Sequence, residues 1–236
     1  MEVQIAVSKV KKYATSTSGD TVEVIERPNG GVSIVMADGQ SSGRGAKWVS
    51  SFVVRKVISL LAEGVRDGAA ARAASDALYT ERGGKVSATL NILSVDMLTS
   101  TLVITRNNPA PVLLARGELI KKLEEESQPV GFYRNTRPLI TEIPLETGLT
   151  VVVFTDGIIH AGSRDGRSME VDTCLQCILD EGEPSAQEIT DKLLEHAIKL
   201  DQYRPVDDTS VIALRVTPMF GEYKIRRMVV RLPIGP

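Results

Sequence analysis

A β-hairpin can be read directly from residues 20–39, DTVEVIERPNGGVSIVMADG. Pro28 suits the second position of a type I turn and Gly30 the left-handed position that follows, so we expect a three-residue loop. Counting outward from that loop places Asp20 opposite Asp38, beyond a ladder of apolar residues that would face a core. A two-residue loop would shift the pairing by one residue and leave both aspartates at the same end. The hairpin therefore predicts two carboxylates at its open end.

A second pair of carboxylates follows from the last third of the chain. The run 151–154 predicts a buried strand that leads into Asp156 and a glycine, and a strand over 210–216 begins just after Asp207. One acid follows its strand and the other precedes its strand, so antiparallel neighbours bring the two to the same edge. Any single aspartate here is most simply a turn or cap residue, but four that converge suit a pair of hard divalent cations.

The remaining segments favour an α+β protein with two antiparallel sheets and helices on the outer faces. A meander of short strands is predicted over 89–95, 101–105 and 111–115. Apolar spacing and caps predict helices over 46–61, 65–79, 170–179 and 185–200. Ser41 and Ser42 provide a serine N-cap for the first helix, and Ser185 with Glu188 forms a capping box for the last.

Length and composition indicate one compact domain over 1–236. The chain is 42% hydrophobic and 25% charged, which is enough for one sizeable core. A formal net charge of -2 provides no general attraction to nucleic acid or to an anionic membrane. No apolar run approaches the roughly 20 residues of a membrane span, and the first residues do not form a leader, so we expect a cytoplasmic protein.

The two cysteines and the C-terminal segment predict structural roles. Cys174 and Cys177 have the spacing of redox and zinc sites, but no second pair accompanies them, so we expect two small residues on the inward face of a helix. Residues 221–236 mix apolar with basic side chains and predict an additional C-terminal edge strand with a solvated face.

The ordered motifs resemble those of the metal-dependent protein phosphatases, the PPM or type 2C family, in its SpoIIE-like branch with RsbU and RsbX. They occur in family order and extend over nearly the whole chain. The matching stretches are Ser18–Asp20, Ala37–Ala46, Ala88–Asn91, Asn107–Leu114, Phe154–Gly157 and Asp207–Val211.

The resemblance implies a four-layer α-β-β-α sandwich with two Mn²⁺ or Mg²⁺ ions at one end. Asp38 would bridge the two ions and position the attacking water, which they convert to a hydroxide for direct hydrolysis. The carbonyl of Gly39 would bind the second ion, and Asp156 and Asp207 the first. Asp20 would bind directly or through a water molecule.

Other implications of the resemblance concern one residue, the substrates and the layout of the chain. Asp208 stands where relatives have Asn or Asp, which implies a supporting role. The substrates would be phosphoserine or phosphothreonine proteins, in particular STAS-domain regulators of the stressosome or of anti-sigma factors. A phosphatase region with no preceding domain is most similar to the stand-alone RsbX type.

The sequence departs from many eukaryotic members at two places. Gln40 follows the Asp-Gly pair where those members have a histidine that is a candidate general acid. Those members also hold the phosphate with an N-terminal arginine; Lys9, Lys11 and Lys12 lie in the comparable region, where we expect exposed charges beside a first strand.

Two other classes of function stay open at this point. A degenerate member of the family would keep the fold as a binding module for a signalling partner without turnover. A two-metal phosphoesterase acting on nucleotides or nucleic acid would share the chemistry but would favour a basic groove, which the charge balance does not indicate.

Overall fold

The computed structural model describes residues 1–117, 119–219, 221 and 225–233, and over these residues the chain forms two five-stranded antiparallel sheets. In order across the first sheet, the strands are β1 (Glu2–Val10), β10 (Thr209–Thr217), β9 (Thr150–Phe154), β6 (Val112–Arg116) and β7 (Leu119–Leu123). In order across the second sheet, they are β2 (Asp20–Glu26), β3 (Val32–Gly39), β4 (Ala88–Asp96), β5 (Thr101–Asn107) and β8 (Leu139–Pro144).

Helices cover the outer face of each sheet. They are α1 (Gly43–Ala62), α2 (Asp67–Arg82), the single turn α3 (Gly157–His160), α4 (Val171–Asp180) and α5 (Ala186–Leu200), with a 3₁₀ turn at Ser163–Asp165. Apolar side chains of α1 and α2 pack on the second sheet, those of α4 and α5 pack on the first, and a third cluster fills the space between the sheets. The predicted α+β architecture of two antiparallel sheets flanked by helices is confirmed.

The β2–β3 hairpin has the predicted three-residue loop. The backbone N–H of Arg27 donates to the carbonyl of Gly31 at 2.7 Å, and Gly30 adopts a left-handed φ of 83°. The register pairs Asp20 with Asp38, as predicted from the turn. Turn chemistry at the tip therefore places both carboxylates side by side at the open end.

The helix caps agree with the sequence in position and only partly in bonding. Ser42 is the N-cap of α1, but its side chain makes no capping hydrogen bond. Ser185 and Glu188 form the full capping box at the start of α5. Of the two cysteines in α4, Cys174 packs against the core as expected, whereas Cys177 is exposed, which corrects the prediction that both face inward.

The predicted meander is wrong at its third strand. The strand β6 does not continue from β5 but pairs with β9 and β7 in the other sheet. The chain crosses between sheets at a corner where the Asn108 side chain accepts from the N–H of Ala110 at 2.9 Å and donates to the carbonyl of Phe154 at 3.3 Å. This corner lets β5 and β6 belong to different layers.

The predicted C-terminal strand is also wrong in the part that the structure describes. Residues 225–233 pair with no strand, and their apolar side chains are exposed. The described polar contacts of this segment come from Arg226, which reaches Glu26 at 2.5 Å and the carbonyl of Gly30 at 2.9 Å. Residues 222–224 and 234–236 lie outside the described residues.

Among the helices of the described residues, none combines the length and the apolar character that crossing a bilayer requires.

Candidate active site

Asp20 is a buried carboxylate held between the two sheets. Its side chain is completely buried although it opens the edge strand β2. From the first sheet, Ser210 and Thr155 donate their hydroxyl protons to Oδ2 at 2.6 and 3.1 Å. The other oxygen, Oδ1, has no hydrogen-bond partner among the described residues. Asp20 therefore presents one carboxylate oxygen that no hydrogen bond satisfies.

Asp38 lies directly across the hairpin from Asp20 and is partly open to the surface. Burial raises the pKa of Asp38 to about 9, and the negative charges of Asp20, Asp156 and Asp207 add to this shift. Burial also raises the pKa of Asp20. A pair of adjacent carboxyls in this setting keeps a proton unless a cation replaces it. Together with the unsatisfied Oδ1 of Asp20, this donor set fits a hard divalent cation.

Asp156 and Asp207 form the second pair, on the first sheet. Strands β9 and β10 pair with Val211 opposite Phe154, so Asp156 just after β9 and Asp207 just before β10 reach the same edge. Their carboxylates and the imidazole of His160 present ligand atoms within 4.8 Å of one another. Both aspartates are partly exposed, and burial raises the pKa of Asp207.

The two pairs meet in one cavity of about 380 Å³ at the rim of the sandwich. Asp38, Gly39, Asp156 and Asp207 line it, and Asp20 lies behind Asp38. The second sheet contributes one pair and the first sheet the other. The predicted convergence of all four aspartates is therefore present in the structure.

Asp208 has a different place from its neighbour. Its two carboxylate oxygens accept the backbone N–H groups of Lys12 at 2.9 Å and Gly19 at 2.8 Å. The side chain is buried and ties the 11–19 loop to the start of β10. Asp208 therefore positions the loop that leads into Asp20, in agreement with a supporting role.

The glycines that follow the aspartates permit close packing. A Cβ on Gly39 would lie 2.1 Å from the carbonyl oxygen of Ala46, in the first turn of α1. A Cβ on Gly157 would lie 2.2 Å from the carbonyl oxygen of Asp208. In both places only glycine lets the neighbouring backbone come this close to the aspartate.

Two residues at the site were not among those that the sequence predicted to bind a cation. Lys12, which we expected to be an exposed charge, lines the cavity with its Nζ 3.9 Å from Asp207. His160 is exposed and has Nδ1 3.8 Å from Asp156. The sequence signal that could have identified His160 is its position four residues after Asp156. No comparable sequence signal marks Lys12, which only precedes the serines of the 11–19 loop.

The chain matches the family model described as Stage II sporulation protein E (SpoIIE) over residues 28–217. This range contains every site residue named above except Lys12, Gly19 and Asp20. A search among curated protein sequences returned no match.

Solved structures of low sequence identity share the fold. The PP2C phosphatase domain of SpoIIE from Bacillus subtilis, with a fragment of its regulatory domain, has a TM-score of 0.79 at 19% identity, covering 92% of this chain and 64% of that one. The RsbU and RsbW domains of Rv1364c from Mycobacterium tuberculosis have a TM-score of 0.74 at 19% identity, covering 92% of this chain and 61% of that one. The chain thus spans less than two thirds of both. RsbX in complex with magnesium has a TM-score of 0.67 at 15% identity, covering 91% of this chain and 96% of that one.

Proposed function

The chain belongs to the SpoIIE family. We propose that it is a PP2C-type phosphatase that hydrolyses phosphoserine and phosphothreonine in proteins with the help of two divalent cations. The observation that carries this proposal is the meeting of three aspartates from two sheets in one cavity, with the buried Asp20 and its unsatisfied oxygen next to one of them. Such a set of oxygen ligands is typical of Mg²⁺ and Mn²⁺.

The ligand assignment follows the resemblance to the family. In it Asp38, whose carboxyl lines the cavity with Asp156 and Asp207 and pairs across the hairpin with Asp20, is the candidate bridging ligand and the residue that positions the attacking water. Asp20 and the carbonyl of Gly39 would hold one side of the site, and Asp156 and Asp207 the other. Bound divalent cations would supply the nucleophile by lowering the pKa of a water molecule. The related RsbX structure contains magnesium.

Side chains around the aspartates hold them in place and receive the substrate. Ser210 and Thr155 fix the orientation of Asp20 through its Oδ2, leaving Oδ1 free for a cation. Lys12 is the cation among the described lining residues, and its ammonium group is placed to bind oxygens of an incoming phosphate.

We further propose that the substrates are phosphorylated STAS-domain regulators of bacterial stress signalling, that residues 1–236 act as one phosphatase domain, and that the enzyme works in the cytoplasm. The support for this narrower assignment is the structural similarity to RsbX and to the RsbU and RsbW domains of Rv1364c.

Hydrolysis of p-nitrophenyl phosphate with Mn²⁺, with Mg²⁺ and with EDTA tests the reaction. We expect a rate that depends on the cation and disappears with EDTA. A protein that binds partners without turnover would show no metal-dependent rate, and that result would support the degenerate binding module instead. Release of phosphate from a phosphorylated STAS-domain protein, compared with an unrelated phosphoprotein at equal concentration, tests the substrate class.

A further inference from the structure

A second cavity of about 570 Å³ runs along the outer face of α1. One face of the helix lines it from Arg44 to Ser59, and Thr17 of the 11–19 loop closes one side. We call this cavity the α1 groove. It is separate from the catalytic cavity but begins beside it, because Ser42 lines the catalytic cavity and Arg44, two residues later, lines the groove.

The middle of the α1 groove is aromatic. Trp48 stacks on Phe52 with ring centroids 5.2 Å apart and an interplanar angle of 22°. The guanidinium group of Arg82, at the end of α2, lies 3.9 Å from the centroid of the Trp48 ring. Trp48 is nevertheless 37% exposed, which is unusual for the chain's one tryptophan. The groove therefore has an exposed apolar floor held in place by α2.

The walls of the groove carry a concentration of positive charge. Arg44, Arg55 and Lys56 are exposed, and none forms an ion pair with a carboxylate in the part of the chain that the structure describes. Lys47 also lines the groove and donates to the carbonyl of Asp20 at 2.8 Å. This cluster stands out in a chain of net charge -2, and it complements an acidic ligand.

We propose that the α1 groove binds an acidic segment of the phosphoprotein substrate while the phosphorylated residue occupies the catalytic cavity. The inference rests on the proposed protein phosphatase function and adds to it a class of preferred substrates. Acidic side chains pair with Arg55 and Lys56, and an apolar side chain between them contacts the part of Trp48 that Phe52 and Arg82 leave exposed. Binding here raises the local concentration of the phosphorylated residue at the aspartates.

The geometry of the helix sets the spacing. Ala46 packs against Gly39 at the catalytic end, and Arg55 lies nine residues further along α1. At a rise of 1.5 Å per residue this is about 14 Å. An extended peptide covers that distance in about four residues. The preferred acidic residues therefore begin about four positions from the phosphorylated one.

A basic groove is also what a nucleic acid ligand would favour, and the structure argues against it here. A base needs a free aromatic face for stacking, but the Trp48 ring is already stacked on Phe52 and covered by Arg82. The positive charges also occupy a single helix face rather than a long track along the surface.

Two matched phosphoserine peptides test the proposal. One carries four glutamates beginning four residues from the phosphoserine, the other carries glutamines there, and each is made with the tract on either side. We expect the wild type to prefer the glutamate peptide in one of the two arrangements by about tenfold in kcat/KM, with a preference that declines in high salt. Equal rates for all four peptides would overturn the proposal.

Charge-reversal variants test whether the preference for the glutamate peptide depends on the α1 groove. The double variant Arg55→Glu/Lys56→Glu should lose the preference while hydrolysing p-nitrophenyl phosphate within about twofold of the wild-type rate, since neither residue lines the catalytic cavity. Arg116→Glu/Lys121→Glu reverses two exposed charges on β6 and β7 and should keep the preference. Loss of preference in both variants would reduce the effect to net charge and overturn the site.

Fluorescence of Trp48 tests binding separately from turnover, because no other tryptophan contributes. An unphosphorylated glutamate peptide should change the emission of the wild type, and the Arg55→Glu/Lys56→Glu variant should not respond. The proposal would be overturned if the emission responded to a single-stranded oligonucleotide and not to the peptide. It would also be overturned if sedimentation showed that the change in emission comes from self-association of the protein. If no metal-dependent hydrolysis is found but the peptide response remains, the proposed function fails and the groove stands.

Discussion

The two aspartate pairs are built by the same device and placed in opposite surroundings. Each pair comes from antiparallel neighbours whose ends meet at one edge. Asp20 and Asp38 lie in a tight hairpin, with Asp20 fully buried, whereas Asp156 and Asp207 lie at the ends of two strands far apart in sequence and stay partly exposed. Asp20 is the carboxylate of the site that most needs a cation, because water does not solvate its charge.

This difference indicates a division of labour. The buried pair fixes the position of the site, since hydroxyls from the opposite sheet hold Asp20 in one orientation. Both members of the open pair line the cavity, where a cation and a substrate can exchange with solvent, whereas only Asp38 of the other pair does so. We therefore expect substitutions in the two pairs to differ in the size and in the kind of their effect.

The largest effect should follow from Asp38→Asn. As the candidate bridging ligand, Asp38 would bind both cations. Its loss should therefore lower metal-dependent hydrolysis of p-nitrophenyl phosphate by more than about a hundredfold, because even the loss of a residue that only hydrogen-bonds to a metal ligand costs about ten- to a hundredfold. Asp180→Asn, an exposed aspartate on α4, is the control and should keep the wild-type rate. A rate near that of the wild type in Asp38→Asn would remove Asp38 from the bridging position.

A smaller and recoverable effect is expected from Asp156→Asn in the open pair. Loss of one ligand at an exposed position should raise the Mn²⁺ concentration for half-maximal activity by about ten- to a hundredfold, and excess Mn²⁺ should restore much of the rate. Titration of activity with Mn²⁺ measures both quantities. If excess Mn²⁺ restores Asp38→Asn as well as Asp156→Asn, the two pairs do not differ in the way we infer.

The most gradual effect concerns the stability of the metal-free protein. Folding raises the pKa of Asp38 from its ordinary value of 3.8 to about 9, so the folded state keeps a proton that the unfolded state releases. The stabilisation is complete below about pH 4 and is lost as the pH rises towards 9, by at most about 1.4 kcal/mol per pH unit for one proton.

Urea unfolding in EDTA at several pH values between 5 and 8.5 measures this dependence. The free energy of unfolding of the wild type should fall with pH, and Asp38→Asn should flatten the slope because its amide does not titrate. Asp180→Asn should retain the wild-type slope. Equal slopes in the wild type and Asp38→Asn would show that the buried pair carries its charge without a cation.

The sequence predicted features that depend on local chemistry and missed those that depend on distant contacts. The hairpin and its register followed from Pro28 and Gly30 within one turn. The sheet to which β6 belongs depends on the pairing of Leu113 with Val152, across many intervening residues. Lys12 reaches the cavity because its backbone N–H is held by Asp208, at the other end of the chain. No local pattern contains these contacts.

The register of the β2–β3 hairpin also determines where this chain can change in length. Residues added at the tip, 28–30, enlarge the loop and leave Asp20 opposite Asp38. A single residue inserted within β3 would turn the side chains on one side of it to the opposite face, and the two carboxylates would no longer adjoin. Within this hairpin, length changes that preserve the site are therefore confined to the tip, where new sequence can be added without altering the chemistry at its base.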